Sequence, residues 1–170
     1  MSTELKFNKL VDVLEHEMKV YRALLELVRK EREILISPDI EELNNSNESK
    51  EAMVSKLRGL EKERERVSRE LAHEVSADAE NPRLLEIAQK LELIKGDRLR
   101  SIHATLQLLV TRIKEYNKEN EILVKSALTN ITGAMDAVKQ KIAGNKSTYQ
   151  DKGKIEDKKV DAGRLVSRSI

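Results

Sequence analysis

Apolar residues recur at three- and four-residue steps over most of this chain. Phe7, Val11, Leu14, Met18, Tyr21, Leu25, Val28 and Leu35 form one stripe, broken only at Arg32. Leu10, Val13, Val20, Leu24, Leu27 and Ile34 form a second beside it. That is the period of an amphipathic helix, and two adjacent stripes make a face wide enough for two partner helices. The pattern predicts a first helix from about Thr3 to Ile36, roughly 50 Å long at 1.5 Å per residue. Ser37-Pro38-Asp39 reads as a stop and a restart, with Ser37 as N-cap and Pro38 in the first helical position. Asp39, Glu41 and Glu42 then put negative charge where the helix dipole favours it.

The second helix is predicted to end near 75. Its stripe is sparse: Ile40, Leu43, Val54, Leu57, Leu60, Val67, Leu71 and Val75, interrupted at Asn47, Lys50, Glu61 and Arg64. The alternating run Glu61-Lys62-Glu63-Arg64-Glu65-Arg66 is a solvated face stitched by i,i+4 pairs. Residues 77–81 read as a loop. Asn81-Pro82 repeats the cap-plus-proline signature and starts a third helix, with Leu84, Leu85, Ala88 and Leu91 facing inward. Gly96 would break or kink it, since glycine costs about 1 kcal/mol against alanine in a helix. From there Leu99, Ile102, Leu106, Leu109, Ile113, Tyr116, Asn120, Leu123 and Ala127 keep a faultless 3,4 step. Ala134, Val138 and Ile142 carry this seam on to Gly144, a natural C-terminal stop. After Gly144 the periodicity ends.

The fold expected is therefore all-α: an elongated antiparallel helical hairpin or bundle of three long helices, four if Gly96 breaks the third. Residues 1–144 form the helical domain and 145–170 a flexible tail. The tail holds seven Lys or Arg against four Asp or Glu and few apolar residues. It cannot bury enough surface to offset the entropy of ordering, so it is read as disordered in isolation.

Composition narrows the function. Charged residues are 36 % and aromatic residues 2 %, which suits thin seams between long helices better than a thick core. The net charge of +2 comes from interspersed signs, without the basic face of a nucleic-acid binder. The absence of cysteine removes disulfides and thiolate metal sites. No apolar run approaches the ~18 residues needed to span a membrane, and the first ten residues carry no signal-peptide pattern, so a cytoplasmic location without membrane insertion is expected. Glu70 and His73 have the Glu-x-x-His spacing of di-iron bundles, yet neither His16 nor His103 supplies the second pair. No nucleophile, phosphate-loop or zinc motif is present. The chain is read as a protein-binding module rather than an enzyme, with no metal and no cofactor. Two polar features stand out: Asn120 on the seam of the last helix, where it can fix register or pairing, and Tyr149, alone in the polar tail as a candidate interface anchor.

Three segments resemble the C-terminal signature of the FlgN family of flagellar export chaperones: Asn117-Lys118-Glu119-Asn120-Glu121-Ile122-Leu123, then Ser126-Ala127-Leu128, then Tyr149-Gln150-Asp151-Lys152-Gly153. The order of elements along the chain fits as well. The resemblance implies a cytoplasmic chaperone that binds the C-terminal helices of the hook–filament junction proteins FlgK and FlgL. It would keep them from assembling early and deliver them to the type III export gate. It implies a client-binding face of Ile113, Tyr116, Asn117, Asn120, Leu123, Val124 and Leu128, and docking on the gate protein FlhA through Tyr149 in its Tyr-x-x-x-Gly setting with Gly153. Two other readings remain on the residues alone. A structural coiled-coil adaptor would leave the Tyr149–Gly153 motif without a purpose. A nucleic-acid-associated protein using its basic tail would show steeply salt-dependent binding.

Overall fold

The computed structural model describes residues 2–36 and 39–145, with side chains up to Ala143. Ser37, Pro38 and the tail from residue 146, with Tyr149 and Gly153, lie outside the described residues. Among the described residues there is no strand. Four helices follow one another: α1 Thr3–Ile36, α2 Ile40–Glu74, α3 Leu84–Lys90 and α4 Leu93–Asn145. Packing divides the chain into two units, Met1–Leu128 and Thr129–Ile170.

α1 has the wide buried face its two stripes require. Phe7, Leu10, Val11, Val13, Leu14, Val20, Leu24, Val28 and Ile34 are all buried. α2 begins after Asp39, whose side chain accepts from the Glu42 amide at 3.0 Å; Asp39, not Ser37, is the N-cap. α2 is buried mainly near its C-terminal end, at Val67, Ser68, Leu71 and Ala72; before residue 61 only Ser46 is buried. It stops in a Schellman turn: Ser76 is left-handed (φ 57°) and the Ala77 amide donates to the Ala72 carbonyl at 2.9 Å.

α1 and α2 run antiparallel, as their ion pairs record: Lys6–Glu74 at 2.5 Å, Arg64–Glu17 at 3.2 Å and Lys50–Glu31 at 2.6 Å. α4 then returns parallel to α1, pairing Lys95 with Glu4, Arg98 with Glu15 at 2.9 Å and Arg32 with Glu119 at 2.5 Å.

The middle of the chain departs from the sequence reading in three ways. First, the third helix does not start at Asn81-Pro82. The Asp78 carboxylate accepts from the amides of Glu80 (2.9 Å) and Asn81 (3.1 Å), holding both in the loop, and the helix opens after extended Arg83. Secondly, the break before α4 falls at Leu91, whose backbone is extended, and not at Gly96, which sits in the first turn of α4. A Cβ on Gly96 would lie 2.4 Å from the Ala88 carbonyl oxygen, so glycine there permits α3 to pack against α4. α3 is thus a seven-residue helix and not the start of a long one. Thirdly, its inner face gains Ile87, fully buried beside Ala88, with Leu84 and Leu91 half-buried against the same core as expected, whereas Leu85 is exposed.

The main core joins all four helices of the first unit: Phe7, Leu10, Val11 and Leu14 meet Val67, Leu71, Ala72, Ile87, Ala88, Leu99 and Ile102. A second, smaller cluster gathers Leu24, Val28 and Ile113, with Tyr21, Leu25, Met53, Leu57 and Tyr116 against it. In the second unit every residue from 129 to 143 is exposed. Ala134, Val138 and Ile142, expected to continue a buried seam, are surface residues, because no described residue of that unit covers them.

Candidate functional site

Helix α4 carries all seven residues of the expected client face, and the packing of the first unit sorts them by accessibility. Ile113 is buried in the small cluster against Leu24 and Val28, with Tyr116 half-buried beside it. Asn120 is 4 % exposed. Leu123 is half-buried, and Asn117, Val124 and Leu128 are exposed. One helix face therefore turns from the interior to solvent within about four turns. Ile122, which lies outside the expected set, is 57 % exposed and points to the opposite side of α4 from Val124.

Asn120 is the hinge point of that change in burial. Its side-chain amino group donates to the Val28 carbonyl at 3.0 Å and to Glu31 Oε2 at 3.1 Å. Glu31, itself buried, accepts from Lys50 of α2 at 2.6 Å. Both groups facing the amide are acceptors, so its nitrogen must point at them. Its carbonyl oxygen is left buried without a hydrogen-bond partner among the described residues. A polar layer thus crosses α1, α2 and α4 next to the Ile113 cluster.

A second such layer lies two heptads away. Buried Glu17 accepts from Arg64 at 3.2 Å. Burial pushes the Glu17 carboxyl above its ordinary range, and Arg64 offsets this only in part. Burial, followed by the charge of Glu17, likewise raises the Tyr21 phenol. A solvent-open groove of about 530 Å³ begins here, lined by Tyr21, Arg64, Leu84, His103, Leu106 and Lys114 among others. The sequence reading missed Glu17 and Glu31 as interior groups, but a signal existed. They fill the 3,4 gaps of the Leu10–Ile34 stripe, and Arg64 and Lys50 are two of the breaks in the α2 stripe. The acids and the bases are each fourteen residues apart, so one antiparallel register pairs both.

Glu70 pairs with Arg66 at 2.5 Å, and among the described residues no group of three or more acids and histidines could hold a metal. No described helix is long and apolar enough to cross a membrane.

The first unit is an all-helical bundle with thin seams, buried polar layers and an apolar face emerging onto one helix. The family model described as "FlgN protein" matches residues 1–157, which is most of the chain. The chain belongs to the FlgN family, and is a flagellar export chaperone of a family that is not enzymatic. No curated protein and no solved structure matches it.

Proposed function

We propose that this chaperone works in the cytoplasm on the hook–filament junction proteins FlgK and FlgL, binding their C-terminal helices, blocking early assembly and handing them to the export gate protein FlhA. The observation that carries the reading is the extent of the family match. It spans the whole of α4 and the Tyr149–Gly153 motif and ends at 157. Exposed Val124 and Leu128, one turn apart on α4, give the first unit apolar surface of the kind an amphipathic client helix covers. On this reading the client lies along Tyr116, Asn117, Leu123, Val124 and Leu128, with Ile113 and Asn120 behind them, and Tyr149 and Gly153 engage the gate separately. A titration with a client C-terminal peptide, read by amide chemical shifts, should move resonances of residues 113–128. Shifts confined to α2 would refute the assignment.

The adaptor reading draws on the second unit, where Ile131, Met135, Val138 and Ile142 expose a 4,3,4 stripe of their own. It requires a concentration-dependent dimer in sedimentation and no binding of the client peptide.

A further inference from the structure

We infer that the Glu31–Asn120–Lys50 layer is a latch: it lets the 113–128 segment of α4 separate from α1 and present Ile113, Tyr116 and Leu123 to an incoming amphipathic helix. This rests on the chaperone reading and explains how buried residues can belong to a binding face.

Three observations meet at this layer. Its central group is incompletely satisfied. Asn120 is 4 % exposed and its carbonyl oxygen has no partner among the described residues, a state shared by the Ser46 and Ser68 hydroxyls, and a buried oxygen in that state favours any arrangement that hydrates it. Beyond it, through Leu128, α4 buries little apolar surface: only Leu123 is even half-buried. On the other side, the cluster it guards is small, with three buried residues, Leu24, Val28 and Ile113, whereas the core around Leu14 and Leu99 has eleven. Segments with few apolar contacts open at the lowest free energy. Opening breaks the Asn120 bonds to Val28 and Glu31 and the exposed Arg32–Glu119 pair, and Glu31 keeps Lys50. The face set free steps 3,4,3 from Ile113 through Tyr116 and Asn120 to Leu123. That is the spacing that receives a helix with an apolar stripe, in place of α1.

The chain has no cysteine, so single thiols report opening directly. Ile113→Cys, in the small cluster, should react with a thiol reagent at least about tenfold faster than Leu99→Cys in the main core. Replacing the layer with Glu31→Leu, Lys50→Met and Asn120→Leu removes the orphaned oxygen together with Glu31, the acceptor of the Asn120 amino group, and the cation paired with Glu31. It should slow Ile113→Cys about tenfold and leave Leu99→Cys unchanged. Amide exchange over 113–123 in the cysteine-free chain, with and without the layer replacement, gives the same comparison should a thiol variant fold poorly. Because the apparent affinity scales with the open fraction, a FlgK C-terminal peptide should bind the layer variant about tenfold more weakly. Equal rates at the two thiols, or no slowing on layer replacement, would overturn the latch. Slower opening with unchanged peptide affinity would overturn its role in admitting a helix. If the opening behaves as described but the peptide does not bind the wild-type chain, the latch stands and the client assignment falls.

Discussion

Single residues carry opposite consequences here according to what surrounds them. A methyl group on Gly96 meets the Ala88 backbone at 2.4 Å, whereas one on Gly59 of α2 meets nothing within 4 Å. Gly96→Ala should therefore cost about 1–3 kcal/mol by forcing α3 away from α4, while Gly59→Ala should gain up to about 1 kcal/mol of helix propensity. Thermal unfolding of the two variants should shift in opposite directions. Glu17 behaves differently again, through protonation. Its carboxyl is raised in the folded chain, so the native state binds the proton more tightly than the unfolded chain does. Ionising it then costs stability progressively as pH rises from the ordinary glutamate range through the raised value. Glu17→Gln mimics the neutral form. It should raise the thermal midpoint at pH 7 and leave it near the wild-type value at pH 4. A variant less stable at pH 7 than at pH 4, relative to wild type, would mean that Arg64 more than compensates the burial.

At the scale of elements, the four helices differ in how much of their apolar pattern is used. Leu99 in α4 is fully buried against α1, α2 and α3, so Leu99→Ala should cost about 2–5 kcal/mol. Val138 lies on the same helix but is 55 % exposed, and Val138→Ala should stay within about 0.5 kcal/mol by denaturant titration. Comparable losses would mean that Val138 is covered in solution. The helix boundaries show the same dependence on neighbours. α1 ends at Ile36, one residue past the last position of its stripes, Leu35. The two cap-plus-proline signatures mark the right neighbourhoods, but the capping residue of α2 is Asp39, and in the second case the helix starts two residues beyond Pro82.

For the whole molecule, the proposed division of labour puts client binding on α4 and gate docking on Tyr149. An aromatic anchor seated in a pocket is worth about 2 kcal/mol or more, roughly a thirtyfold change in affinity. Tyr149→Ala should thus weaken binding to the FlhA cytoplasmic domain by that factor. Client affinity, helicity and thermal midpoint should stay at wild-type values. Calorimetry with each partner decides it: loss of client binding with gate binding intact would reverse the two roles.

Periodicity alone determined that the chain is helical, where α1 lies, and that α4 is long, because an apolar residue every third or fourth position has one way to be buried together. The motif segments around Asn120 and Tyr149 were legible for the same local reason: they are contiguous or one helical turn apart. The tertiary structure decided what each stripe meets. It placed Ile113 and Asn120 inside and Leu128 outside on what reads as one continuous seam, since burial depends on how far α1 and α2 extend alongside α4. It also paired Glu17 with Arg64 and Glu31 with Lys50, charges that in one dimension are only interruptions. It set the break at Leu91 through the contact of Gly96 with Ala88, a distance between two helices that no local pattern encodes.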